Sequence, residues 1–226
     1  MNPLTIGLLL FPRITQLDMT GPYEALARIP GAKVHLLWKN LDVVHSDTGM
    51  PLLPTMTFDD CPPLDVICVP GGPGQVDLMD DQEVLAFVRR QGLQARYVTS
   101  VCTGALVLGA AGLLDGYKAT THWASVDNLA HFGAEAVKVR VCIDRNRITG
   151  GGITAGIDFG LYLASVLADR ATAERIQLFL EYTPEPPFDA GSPDTAPSAV
   201  VSQLSEAIAP MLARRKEATL RAAQRL

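Results

Sequence analysis

The stretch from Arg96 to Gly112, RYVTSVCTGALVLGAAG, constrains the fold more than any other part of the chain. It begins with a β-branched apolar run and passes into small, helix-forming residues, with Cys102 at the junction. This pattern predicts a strand that continues directly into a helix. Unpaired N–H groups and the dipole at a helix N-terminus favour an anion, and this placement can lower the pKa of a thiol. Cys102 is therefore a candidate nucleophile, and the alternative is a small buried core cysteine.

Continuous apolar runs alternate with helical segments on both sides of this stretch. The apolar runs predict strands buried on both faces, as in a parallel sheet. The alternation predicts an α/β sandwich with a mostly parallel central sheet and helices on both faces. We expect one α/β domain over residues 1–197, and a helical tail over 198–226 that packs on the same domain. The expected strands lie at 5–11, 33–38, 64–69 and 97–101, and the expected helices begin near Gly21, Asp80, Thr103, Thr154 and Ala171.

Composition excludes several classes of protein. A net charge of -5 argues against a nucleic-acid-binding surface. The four cysteines form no C-x-x-C pair, so a zinc site is poorly supported. No apolar segment approaches the ~18 residues that a membrane span needs. The N-terminal segment has no basic region and no cleavage site typical of a signal peptide, so we expect a cytoplasmic protein.

Three chemically distinctive features follow expected strands. They are Asp18, the loop Pro70-Gly71-Gly72-Pro73-Gly74 and Cys102. Because ligands of open α/β sheets bind beyond the carboxyl ends of the strands, we expect these features to meet in one site.

Each feature has a functional and a structural interpretation. Asp18 is a candidate general acid or base whose pKa burial would raise, or it is an N-cap for the helix near Gly21. Gly71 and Gly72 are candidate oxyanion donors through their N–H groups, or they form a tight turn. The N–H group of Thr103 is expected to point into the anion site, and its hydroxyl either reaches the sulfur or satisfies the backbone.

Two further segments supply candidate substrate-binding residues. His122 is a candidate partner for a Cys–His pair, or it packs with Trp123 beside the pocket. The glycine run at 150–152 either lets the backbone approach Cys102 or forms a plain turn. The full set of candidates is Cys102, Asp18 and Thr103 as catalytic residues, with Gly71, Gly72, Gly151, Ile153, His122 and Trp123 around the substrate.

Several motifs together resemble the ThiJ/PfpI superfamily, which is related to class I glutamine amidotransferases. They are LDMTGPYEAL, DVICVPGGPG, YVTSVCTGALVLGAAGLLDG, KATTHW and ITGGGITAGIDFGL. Within the superfamily the chain most resembles the bacterial isocyanide hydratases. The resemblance implies a flavodoxin-like fold, a homodimer, no metal or organic cofactor, and Cys102 as nucleophile at a strand-to-helix elbow. It also implies that Asp18 replaces the Glu of most relatives, and that Gly72 and Thr103 offer N–H groups.

The function that this resemblance implies is the addition of water to a small-molecule isocyanide, which gives an N-substituted formamide through a cysteine thioimidate. Protease-like members carry His after the cysteine, and Thr103 in that position argues against proteolysis. The alternatives are a non-enzymatic redox or small-molecule sensor that uses Cys102, and a glyoxalase-like lyase. Similar domains also form the ligand-sensing half of AraC-type regulators.

Overall fold

The structure is a computed structural model that describes residues 4–226. Its fold centres on a seven-stranded sheet. Residues 1–3 lie outside the described part of the chain. The expected domain over residues 1–197 and the N-terminal segment both begin in these residues. The strand order is β10-β11-β7-β6-β1-β2-β5, and every pairing is parallel except that of β10 with β11. These strands are β1 (Leu4–Leu9), β2 (Ala32–Trp38), β5 (Met56–Thr57), β6 (Val66–Val69), β7 (Tyr97–Val101), β10 (Val141–Asp144) and β11 (Arg147–Gly150).

The central strands are buried because their side chains are apolar on both faces. Val66, Ile67, Cys68 and Val69 of β6 are all at most 1% exposed, and β6 lies between β1 and β7. Helices that cover both faces of a parallel sheet produce this pattern of continuous apolar sequence. Two short ladders, β3 (Val44–His45) with β4 (Pro51–Leu52) and β8 (Lys118–Ala119) with β9 (Glu135–Ala136), lie outside the main sheet.

The helices form two packed groups. In one group α1 packs on α5, and α5 packs on α6. In the other group α4 contacts α2, α3, α7 and a 3₁₀ helix. Their bounds are α1 (Gln16–Leu26), α2 (Gln75–Leu78), α3 (Gln82–Gln94), α4 (Gly104–Ala110), the 3₁₀ helix (Trp123–Phe132), α5 (Ala155–Leu167), α6 (Arg170–Phe179) and α7 (Ser198–Ala223). The α/β sandwich with a mostly parallel sheet is thus confirmed.

Two expected helix starts were wrong. α1 begins at Gln16 rather than near Gly21, so Pro22 lies inside the helix and Asp18 lies in its first turn. Asp18 is therefore not an N-cap; Thr15 occupies that position. The start of α3 is capped by Asp81, whose Oδ1 accepts a hydrogen bond from Val84 N at 3.2 Å, rather than by Asp80.

The C-terminal helix α7 packs against α2, α4 and the 3₁₀ helix. Its buried residues, Arg215, Ala218, Thr219 and Ala222, all lie in its second half. The expected division of the chain at residue 197 stays a proposal. Within residues 4–226, no helix is long and apolar enough to cross a membrane.

Candidate active site

Cys102 occupies a sharp elbow between β7 and α4. Its φ is +54°, a left-handed conformation that is strained for a residue with a side chain and is common at functional sites. The bend is held by the Cys102 N–H group, which donates to the carbonyls of Gly150 at 3.0 Å and Gly151 at 2.8 Å. The Cys102 carbonyl accepts a hydrogen bond from Thr121 Oγ1 at 2.7 Å. The thiol is thus fixed at the helix N-terminus, as the sequence predicted, and Cys102 is only 5% exposed.

Asp18 faces this elbow from the first turn of α1 and is fully buried. Its Oδ2 accepts a hydrogen bond from Gly71 N at 2.9 Å, and its Oδ1 has no hydrogen-bond partner in the described part of the chain. The same loop is tied to α1 a second time, since Thr15 N donates to the Gly71 carbonyl at 3.0 Å. α1 and the glycine loop therefore hold the carboxyl in place beside the thiol.

The N–H groups of Gly71 and Gly72 are both engaged within the protein. Gly71 N donates to Asp18, and Gly72 N donates to Thr103 Oγ1 at 3.1 Å. In this arrangement the loop orients the Asp18 carboxyl and the Thr103 hydroxyl rather than offering free donors. A direct oxyanion role for Gly71 and Gly72 stays a prediction, and it requires both N–H groups to change partner during the reaction.

Burial raises the pKa of Asp18 to about 7, although the neighbouring Cys102 side chain and the hydrogen bond from Gly71 N oppose the shift. The negative charge of Asp47 adds a small further increase. A carboxyl with a pKa near neutrality can both accept and donate a proton at physiological pH, which is what a general acid–base catalyst requires.

The pKa of Cys102 is raised rather than lowered, which corrects the sequence-based expectation. Burial is the main cause, and the charge of Asp18 adds to it. The N–H group of Thr103 and the charge of Arg215 act in the opposite direction, toward the thiolate. The helix N-terminus thus favours the anion as expected, but burial outweighs it and raises the pKa of the Cys102 thiol, which lies beside the Asp18 carboxyl.

His122 does not form a pair with Cys102. Its Nδ1 accepts a hydrogen bond from Ala124 N at 3.3 Å, and burial together with the charge of Arg215 lowers its pKa. The ring lies against Trp123, with the two centroids 5.5 Å apart. Asp18 is therefore the titratable group beside the thiol, and His122 with Trp123 belongs to the surroundings of the site.

The glycine run at 150–152 lies against the same elbow. The Gly151 carbonyl accepts the Cys102 N–H group, and a Cβ placed on Gly152 would lie 3.7 Å from His122 Cδ2. Close approach of the backbone to Cys102, one of the two interpretations, is thus what the geometry shows. Ile153 is 36% exposed and follows this run directly, and its substrate-binding role stays a prediction.

Sequence reasoning missed two side chains near the site. Thr121, which holds the elbow, lies in the KATTHW motif and was not singled out. Arg215 belongs to the basic run Arg214-Arg215-Lys216, a pattern typical of a solvated helix face, yet it is 3% exposed and its charge lowers the pKa of Cys102 slightly. Within residues 4–226, no group of three His, Cys, Asp or Glu side chains is placed to hold a metal ion.

Replacing Gly71 with alanine should disrupt the site. A Cβ there would lie 2.5 Å from Thr103 N and 2.8 Å from Asp18 Oδ2, so the loop or the helix ends must move. Overpacking of this kind costs about 1–3 kcal/mol in stability, and we expect at least a tenfold loss of activity. Gly191→Ala is a matched control, since nothing lies within 4 Å of its Cβ position. Thermal unfolding and steady-state kinetics would measure both effects, and wild-type behaviour of Gly71→Ala would contradict the close packing.

Comparison with known proteins places this geometry in context. The chain is 61% identical over 223 residues to the isonitrile hydratase of Pseudomonas putida, covering 99% of this chain and 98% of that protein. It is 33% identical to the HTH-type transcriptional regulator GbdR of Pseudomonas aeruginosa, covering 72% of this chain but 46% of the regulator.

Solved structures show the same fold. The crystal structure of a ThiJ/PfpI family protein from Pseudomonas syringae matches with a TM-score of 0.95 and 46% identity, covering 97% of this chain and 91% of that chain. The DJ-1/PfpI family model matches residues 5–165, which include the Asp18, Gly71 and Cys102 positions. The resemblance expected from the sequence motifs is thus confirmed, and the chain belongs to the DJ-1/PfpI family.

Proposed function

We propose that this chain is an isocyanide hydratase, an enzyme that adds water to an organic isocyanide to give an N-substituted formamide. The observation that carries the proposal is the buried Cys102–Asp18 pair in a chain 61% identical, over nearly its full length, to an isonitrile hydratase, isonitrile being a synonym of isocyanide. The substrate is a small molecule. Proteolysis by a Cys–His pair is not supported, because His122 bonds to the backbone of Ala124 rather than to the thiol.

The first chemical step joins the sulfur to the terminal carbon of the isocyanide. Sulfur supplies the electron pair of the new C–S bond, and the thiol proton passes through Asp18 to the same carbon. The product is a thioimidate, R–N=CH–S–Cys102, and no electrons enter or leave. Asp18 suits this transfer because its pKa of about 7 lets it accept and return a proton at neutral pH.

The second step releases the formamide. Asp18 accepts a proton from water as the water oxygen attacks the thioimidate carbon, and it passes that proton to the nitrogen. The C–S bond then breaks as the hydroxyl proton of the intermediate passes to Asp18, and the departing thiolate, which the Thr103 N–H group and the charge of Arg215 stabilise, takes that proton from Asp18. The product is R–NH–CHO, and Cys102 and Asp18 return to their starting states.

The test is incubation of the purified protein with a simple alkyl isocyanide, followed by identification of the product. We expect the N-alkyl formamide to accumulate with turnover, and one oxygen from ¹⁸O-labelled water to appear in it. Absence of formamide at all isocyanide concentrations would overturn the proposal. Selective oxidation of Cys102 by peroxide would not replace this assay, because a sensor and an enzyme would both show it.

We also propose that the protein is a homodimer. The resemblance to the ThiJ/PfpI superfamily implies a dimer, and Leu178 and Phe179 at the end of α6, which are 81% and 72% exposed, offer adjacent apolar surface for an interface. Light scattering coupled to size-exclusion chromatography would measure the mass against the 24.2 kDa of one chain. A monomer at micromolar concentration would contradict the proposal.

A cytoplasmic location is likewise a proposal, supported by the four cysteines, all of which are free. Reduced thiols are typical of the cytosol, whereas oxidising compartments favour disulfides. Fractionation of cells that express the protein would measure its distribution, and recovery outside the cytoplasm would contradict it.

A further inference from the structure

Arg215 of α7 is a buried cation without an ionic partner. It is 3% exposed, and within residues 4–226 no carboxylate lies within 4.0 Å of its guanidinium. Its Nε donates to Gln75 Oε1 at 3.1 Å, its Nη1 to Ser125 Oγ at 3.0 Å, and its Nη2 contacts Met211 Sδ at 3.6 Å. Burying a charge that is not paired costs several kcal/mol, so this arrangement calls for a compensating role.

The two oxygen partners of Arg215 lie in segments that border the site. Gln75 is the first residue of α2 and follows the glycine loop that holds Asp18 and Thr103. Ser125 lies in the 3₁₀ helix, two residues after Trp123. The guanidinium therefore joins both segments to α7. The other end of the Gln75 amide, Nε2, is buried and has no partner within the described residues, so the polar cluster is not a fully satisfied structural network.

Besides its hydrogen bonds, Arg215 affects the pKa of the Cys102 thiol through its positive charge. Burial and then the charge of Asp18 on α1 raise the pKa of Cys102, whereas the Thr103 N–H group of α4 and, to a smaller extent, the charge of Arg215 on α7 lower it. Arg215 in turn acts on His122, whose pKa it lowers. Asp18 and Arg215 thus have opposite effects on the sulfur: the carboxylate opposes the thiolate, and the guanidinium supports it.

We propose that Arg215 is a positioning residue of the active site, which supports the Cys102 thiolate with a buried positive charge and fixes the glycine loop and the 3₁₀ helix around it. Only the role of Arg215 in turnover, where the Cys102 thiolate is the leaving group, rests on the proposed function. Arg215 lies beyond residues 5–165, the part that matches the family model, so α7 adds this element to the common site.

The test measures the rate of Cys102 alkylation by iodoacetamide as a function of pH, with mass spectrometry to separate the cysteines. Arg215→Gln and Arg215→Met remove the charge, and Met leaves no unpaired polar group in the buried site. We expect the apparent pKa for alkylation to rise in both variants, so that alkylation of Cys102 at neutral pH slows at least about twofold. Arg215→Lys keeps the charge and should stay close to wild type.

Arg214→Gln is the matched control, because it removes the same charge from an exposed neighbour that lies 3.7 Å from Asp77. It should leave the Cys102 profile unchanged. An unchanged Cys102 profile in either folded neutral variant would overturn the proposal, and so would a shift in Arg215→Lys as large as in Arg215→Gln. If one of the neutral variants, Arg215→Gln or Arg215→Met, does not fold, the alkylation profile of the other decides the test. Alkylation needs no isocyanide, so this result stands apart from success or failure of the hydration assay.

Discussion

Replacement of Cys102 with alanine should abolish hydration of isocyanides while leaving the fold intact. The reaction needs a nucleophile that attacks carbon and later leaves, and a methyl group can do neither. We expect a loss on the order of 10⁴-fold or more, as for other enzymes that lose a covalent nucleophile. The fold should survive because alanine, like cysteine, carries a Cβ, so the strain of the +54° φ is nearly the same in both.

The matched control is Cys61→Ala. Cys61 is a partly buried free thiol whose Sγ contacts the Pro62 carbonyl and the Gln91 amide, remote from the elbow. This variant should keep wild-type kcat. Circular dichroism and thermal unfolding would show that both proteins fold, and product analysis would measure turnover. Full activity of Cys102→Ala would exclude the thioimidate and leave Asp18 to activate water directly.

The elbow itself was predictable because it depends on local sequence. A β-branched apolar run cannot continue as a strand through Gly104 to Ala110, and small residues there favour a helix packed close to the sheet. Gly104 confirms that closeness, since a Cβ on it would collide with the Val69 carbonyl of β6. The raised pKa of Cys102 was not predictable in the same way. It depends on how deeply the elbow is buried and on a carboxyl more than 80 positions away in the sequence.

The start of α1 was not predictable because tertiary packing overrides the local preference of proline. Pro22 cannot donate a hydrogen bond to the preceding turn, which favours a helix that starts nearby. The structure instead keeps Pro22 inside α1, where its ring packs against Gly156 and Gly160 of α5. Glycine favours this close contact, since a Cβ on Gly156 would lie 3.0 Å from Pro22 Cδ and the proline ring would have to shift. The sequence suggested Asp18 as an N-cap, whereas Asp18 lies in the first turn of α1 and Thr15 is the N-cap.

The burial of Arg215 does not follow from the sequence pattern alone. Val201, Leu204, Ile208 and Met211 follow one another at helical spacing, and position 215 continues the same stripe by four residues. The neighbouring Arg214 and Lys216 are typical of a solvated basic cluster. Spacing alone does not settle burial either, because Leu204 of the same stripe is 47% exposed whereas Arg215 is 3% exposed, so burial begins only where α7 packs on the domain.

Replacement of Asp18 with asparagine should cripple catalysis and at the same time stabilise the protein at alkaline pH. Asparagine can still accept the Gly71 N–H group through its carbonyl oxygen, so the loop should keep its place. It cannot take the thiol proton or return it to carbon. Positioned proton transfer is typically worth ~10²- to 10⁴-fold, and we expect a loss of kcat in this range. Asp127→Asn is the control, because it makes the same change on an exposed carboxylate of the 3₁₀ helix and should leave kcat unchanged.

The stability effect follows from the raised pKa of Asp18, which is 3.8 in the unfolded chain and about 7 in the folded protein. Between these values the folded state binds the extra proton, so wild-type stability falls as pH rises from about 4 to about 7. The full loss of stability is about 4 kcal/mol at 1.36 kcal/mol per pKa unit.

Asparagine does not ionise, so the free energy of unfolding of Asp18→Asn should match that of wild type near pH 4 and exceed it by several kcal/mol near pH 8. Urea unfolding at both pH values would measure this difference. Equal stability at pH 8 would mean that Asp18 ionises without cost, and proton exchange with Cys102 near neutrality would then lose its physical basis.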